Sequence, residues 1–80
     1  MNNAEQVDAA LSLLAVYVGH ALPDGEATRS LVLTEEGLNS LAMASVIVEL
    51  EERLEREFDF EAFAGIQTVQ DLLRAIGLAA

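Results

Sequence analysis

The sequence predicts an all-α fold: a small four-helix bundle with one short helix and a long loop between its first two helices. Three observations predict it. Apolar residues recur at three- and four-residue spacing in separate stretches. Glycine and proline stand between those stretches rather than inside the longest of them. The one short run that reads as a strand, Ser30–Leu33, has no second strand to pair with. At 80 residues the chain is one domain, residues 1–80, and its 52% of apolar residues is enough for a core. It has no cysteine, so no disulfide or zinc–thiolate site holds the fold, and any thiol chemistry needs a thiol from outside the chain.

The first helix is expected from Asn3 to Ala21. Val7, Leu11, Leu14 and Val18 share a stripe, with Ala10 and Tyr17 beside it. Asn2 or Asn3 caps the start, Glu5 and Asp8 suit the positive end of the helix dipole, and Pro23 stops it by pushing Leu22 out of helical geometry. Pro23-Asp24-Gly25 reads as a turn. Residues 23–39 then form the long connection. Its Leu31, Val32, Leu33 and Leu38 require it to pack on the helices rather than hang free.

The second helix is expected from Ser40 to Phe58, capped by Asn39 or Ser40. Glu49 with Arg53 and Glu52 with Arg56 stand four apart in the favourable order. A short helix over Glu61–Ala64 ends at Gly65. Thr68 caps the last helix, which runs to Ile76 and ends at Gly77.

Charge narrows the function. The net charge is -10, from 14 acidic residues against four arginines and no lysine. Nucleic acid and anionic membrane surfaces are poor partners for such a chain, and basic protein surfaces are good ones. The longest apolar stretch, Ala9–Leu22, is too short to span a bilayer. No Lys or Arg precedes it, so it is not a signal peptide, and a cytoplasmic protein is expected. With one histidine, no cysteine and no nucleophile–base constellation, the chain is not expected to be an enzyme. His20 reads as a cation near a helix end. The acidic run Glu49–Glu61 is a solvated helical face without the alternating ligands of a calcium loop, so no metal is expected.

Wound at helical pitch, the second helix places Met43, Ile47, Leu50, Leu54 and Phe58 on a core face. Ser45, Glu49, Glu52 and Arg56 lie opposite. Leu41 and Val48, two turns apart, fall on the polar side beside Ser45 and Glu52. They read as an apolar stripe rimmed by carboxylates, suited to docking.

The segment Gly37-Leu38-Asn39-Ser40-Leu41 resembles the Gly-x-Asp-Ser-Leu signature of acyl carrier and peptidyl carrier proteins. Downstream, Ile66-Gln67-Thr68-Val69-Gln70-Asp71-Leu72 is similar to the family's Ile-x-Thr-Val-x-Asp-Leu run into its last helix. The resemblance implies a bundle of acyl-carrier-protein type, acting as a monomer. It implies that Ser40 receives a 4'-phosphopantetheine arm from coenzyme A, attached by a separate phosphopantetheinyl transferase with magnesium. The arm holds acyl or aminoacyl groups as thioesters, loaded by a ligase and used by downstream synthase enzymes. A serine opening a helix suits such a group, because unpaired amides there favour phosphate.

By the same resemblance, Leu41 and Val48 are apolar partner contacts and Glu51 and Glu52 acidic ones. Asn39 and Ser45 belong to the same partner-binding surface. Leu50, Phe58 and Ile66 lie near the cleft in which some carriers shelter an acyl chain.

The sequence also departs from the family pattern. Asn39 stands where aspartate is usual, Ala42 and Ser45 stand at positions often acidic in fatty-acid carriers, and Arg53 and Arg56 offset Glu49 and Glu52. A carrier for polyketide, aminoacyl (nonribosomal peptide) or other specialised pathways is therefore expected at least as much as a fatty-acid one. The alternative is an acidic helical docking module with no prosthetic group.

Overall fold

The structure is a computed structural model that describes residues 2–23 and 25–78. The Asn2 side chain opens helix α1 (Asn3–Val18) by accepting a 2.8 Å hydrogen bond from the Glu5 amide. Gly19 closes it in the left-handed conformation, φ 91°, and donates its amide to the Ala15 carbonyl. The helix therefore ends before the Ala21 boundary expected from Pro23, because glycine adopts this cap without a Cβ clash. Its inward face is Ala10, Leu13 and Leu14. Of the expected stripe Leu14 is buried, whereas Val7, Leu11 and Val18, with Tyr17 beside them, pack only partly against the core.

The connection to the next long helix is less irregular than expected. It contains one helical turn, α2 (Glu26–Arg29), after the region of the expected Pro23-Asp24-Gly25 turn, of which Asp24 lies outside the described residues. Beyond α2 the chain makes a single antiparallel bridge, Val32 to Thr68. The Leu33 amide donates to the Gln67 carbonyl, and the Val69 amide to the Leu31 carbonyl. Two bonds do not make a sheet, and the described residues contain no strand. They do tie the connection to the start of the last helix.

Helix α3 (Ser40–Leu54) buries Val46, Ile47, Leu50 and Leu54. It stops four residues short of the expected Phe58. Glu55 enters the left-handed conformation at φ 53°, and the Glu51 carboxylate accepts a 2.8 Å bond from the Phe58 amide, which turns the chain back. Phe58 thus leaves the helix and packs from a loop. The two expected Glu–Arg pairs do not close among the described residues. Glu49 instead accepts from the Tyr17 hydroxyl at 2.6 Å, and Arg56 donates to the Ile76 carbonyl at 2.9 Å while its guanidinium lies over the Phe58 ring.

The short third helix, expected over Glu61–Ala64, is a 3-10 helix over Phe60–Phe63 capped by Asp59. Helix α4 (Val69–Ala75) opens with a capping box: Thr68 accepts from the Asp71 amide and Asp71 accepts from the Thr68 amide. Leu13, Leu14, Val46, Leu50, Leu72, Leu73 and Ile76 form the sealed centre. Each such side chain contributes about 1.5–3 kcal/mol of burial. No helix is long and apolar enough to cross a membrane among the described residues.

Asp71 also makes the fold acid-sensitive in a defined way. Its carboxyl is held below its ordinary value of 3.8, chiefly by the Gln67 amide and then by the Thr68 amide, both donating to Oδ2. A carboxylate depressed in the folded state stabilises it above the unfolded value, and that share is lost as pH falls through the folded value. Asp71→Asn is therefore expected to lower the melting temperature at pH 7, with the gap to the wild type shrinking as the pH falls below the ordinary value of 3.8. Thermal melts at pH 7 and below that value check this, and a gap that stays constant with pH would rule the charge out as the cause.

Candidate functional site

The segment before α3 is built to hold Ser40 at the surface. Gly37 adopts φ 87°, a conformation its lack of Cβ permits, and donates to the Thr34 carbonyl. The next residue, Leu38, is sealed in the core and donates its amide to the Leu33 carbonyl. With Leu38 anchored, Asn39 and Ser40 emerge on the outside. Asn39, not Ser40, is the cap: its Oδ1 accepts from the Ala42 amide at 2.8 Å, and its carbonyl accepts from the Met43 amide.

Ser40 is left as the first helical residue, exposed, with its hydroxyl engaged by no hydrogen bond among the described residues. The Ser40 and Leu41 amides also have no acceptor there. A phosphodiester on Oγ would meet those donors at the positive end of α3. The neutral Asn39 does not repel it and takes only the Ala42 amide. The residues present fit a phosphopantetheine group.

Leu41 is 79% exposed and Val48 45%, so the stripe stands clear of the core, with exposed Ser45 between them. The two carboxylates expected beside it differ. Glu52 is free in solvent, whereas Glu51 is partly buried and bound to the Phe58 amide. Glu49, next to the stripe, is occupied by Tyr17. That bond in turn keeps the phenol protonated to higher pH than usual, with burial and the carboxylate's charge adding to the effect.

Beside Ser40 opens a cavity of about 420 Å3. Ser40, Met43, Ala44 and Ile47 of α3 form one wall, Phe60, Phe63 and Ile66 the other, and Leu33 and Leu38 line it as well. Of the three residues expected near a cleft, only Ile66 lines it. Leu50 is fully buried in the core, and Phe58 packs edge-to-face on Phe63 with ring centroids 6.0 Å apart, outside the lining. The wall residues Met43, Ala44 and Ile47 follow Ser40 at helical spacing and could have been read from the sequence. Phe60 and Phe63 carry no such signal.

A profile of the family described as "Phosphopantetheine attachment site" matches residues 9–76, more than half of the chain. No curated protein and no solved structure gives a significant match. Domains of this family carry covalently attached 4'-phosphopantetheine, whose thiol holds the cargo, and they work with phosphopantetheinyl transferases and biosynthetic enzymes. With the family matched from α1 to the end of α4 and an exposed serine opening α3, the chain belongs to the phosphopantetheine-attachment family, as a carrier domain that is not itself catalytic.

Proposed function

We propose that Ser40 is the residue that bears the arm, and that the chain carries acyl or aminoacyl groups between enzymes of a biosynthetic pathway. The observation that carries this is the Ser40 hydroxyl, exposed on the first residue of α3 and, among the described residues, unbonded there beside two amides free to receive a phosphate. In loading, Ser40 Oγ forms a bond to the pantetheine-side phosphorus of coenzyme A. The phosphoanhydride bond breaks, the bisphosphorylated adenosine leaves, and the hydroxyl proton passes to the transferase or to water. Asn39 holds the end of the helix in place without adding charge.

Leu41, Ser45 and Val48, with Glu52 at their edge, are the surface the transferase and later enzymes grip. Glu51 supports that surface from beneath by holding the loop at Phe58. A basic partner surface suits the chain's net charge of -10.

Incubation with coenzyme A, magnesium and a broad-specificity phosphopantetheinyl transferase, followed by intact mass and peptide mapping, tests the assignment. The expected result is a gain of one phosphopantetheine, on the peptide containing Ser40. A helical protein that gains nothing would instead be an unmodified docking module.

A further inference from the structure

We propose that Tyr17 of α1 sets which enzymes this carrier accepts, by holding Glu49 out of the docking surface so that it suits partners with an uncharged contact opposite Leu41–Val48. This rests on the reading of Leu41, Ser45 and Val48 as the surface that partners grip. Tyr17, Ala44, Ser45, Val48 and Glu49 line a shallow recess of about 360 Å3 beside that surface, and Tyr17 is its one lining residue from outside α3.

The charge along α3 gives the pair its importance. From Ser40 to Val48 the helix carries no charged residue, and Glu49 is the first. Glu49 is already taken. The Tyr17 hydroxyl donates to its Oε1 at 2.6 Å, across 32 residues of chain, and both side chains are half-buried. A hydrogen bond to a carboxylate at that length is among the strong ones. A guanidinium binds a carboxylate best through both oxygens, so a partner arginine would have to displace the phenol to hold Glu49 in that way.

The carboxylates beyond it divide. Glu51 is bound to the Phe58 amide, whereas Glu52 is exposed and makes no bond among the described residues. The first free carboxylate beside the stripe is therefore Glu52, about 18 Å along the helix from Ser40 at about 1.5 Å per residue. Physiological salt screens exposed charges beyond about 8 Å. Basic groups of a partner at the serine end thus find no carboxylate of α3 to answer them. They meet Leu41, Val48, the phenol and the Ser45 hydroxyl, which favour apolar and neutral hydrogen-bonding groups.

The test loads Tyr17→Phe, Glu49→Gln, Glu52→Gln and the double variant Tyr17→Phe/Glu49→Gln from coenzyme A, with a transferase chosen for a basic carrier-facing surface. It measures kcat and KM separately. Tyr17→Phe frees a carboxylate beside Val48 and should lower KM about three-fold at unchanged kcat, the scale of one exposed ion pair. High salt should erase that gain, and so should Glu49→Gln added to it. Alone, Glu49→Gln should raise KM less than Glu52→Gln does. Tyr17 is the only tyrosine of the chain, so ultraviolet titration reports the bond itself. Its midpoint, raised chiefly by the hydrogen bond to Glu49, should fall toward the ordinary value of 10.0 in Glu49→Gln.

Thermal melts identify a variant that fails through its fold. If Tyr17→Phe does so, the comparison of Glu49→Gln with Glu52→Gln decides. A folded Tyr17→Phe that loads no better than the wild type would overturn the proposal. So would a Glu49→Gln that raises KM as much as Glu52→Gln, or a titration that does not move. A wild type that gains no phosphopantetheine would instead remove the docking surface and the assignment of Ser40.

Discussion

Ser40→Ala is expected to yield a folded, helical protein that gains no mass under conditions in which the wild type gains one phosphopantetheine. The loss should be complete rather than partial, because the variant has no oxygen on which the phosphodiester could form. The fold should tolerate it equally cleanly. Ser40 is exposed, its hydroxyl bonds nothing among the described residues, and Asn39 supplies the cap, so stability should stay within about 0.5 kcal/mol of the wild type. Asn39→Ala is the contrasting variant. It removes the oxygen that accepts from the Ala42 amide and should lower stability by about 1 kcal/mol while leaving the hydroxyl in place. Residual loading of Ser40→Ala on any other serine would show that the arm belongs elsewhere.

Two leucines of α3 should then behave in opposite ways. Leu50 is fully buried, and Leu50→Ala should lower stability by about 2–5 kcal/mol through lost burial and the cavity left behind. A domain of this size has roughly 4–12 kcal/mol in all, so the melting temperature should fall by about 10 °C or more, and partial unfolding at room temperature is within reach. Leu41, 79% exposed on the same helix, should melt within a few tenths of a kcal/mol of the wild type as Leu41→Ala and show its effect in slower loading by the transferase. Denaturant titration beside a loading time course separates the two. If Leu41→Ala destabilises as Leu50→Ala does, the stripe is core and the docking surface is lost. If Leu50→Ala melts like the wild type, the centre of the bundle has been misplaced.

How far the residues alone reach can be judged at individual positions. The caps were legible to within one residue. Asn2, Asn39 and Thr68 each satisfy an amide three residues ahead, a bond set by local geometry that any chain with that spacing can make. The exposure of Leu41 and Val48 followed from helical pitch once α3 was placed. The end of α3 was not legible. Nothing in Leu54-Glu55-Arg56 marks a stop, and a non-glycine residue takes the left-handed conformation because Glu51 binds the Phe58 amide and Arg56 reaches the Ile76 carbonyl twenty residues on. Gly19 could have been read as the end of α1, but Pro23 drew the boundary outward.

The sequence by itself determined an all-helical chain with Ser40 at the start of its second long helix, because periodicity and capping depend on neighbours within a turn. Only the tertiary structure decided what stands beside that serine. Leu33 and the segment that bears Phe60, Phe63 and Ile66 are far apart in the chain, and Tyr17 meets Glu49 across 32 residues. Such meetings depend on how helices and loops pack around a shared core, where the winning arrangement is the one that buries the most apolar surface with every buried polar group bonded. No local rule carries that information, and so the helix bearing the serine could be placed in advance while the far wall of the cavity next to it could not.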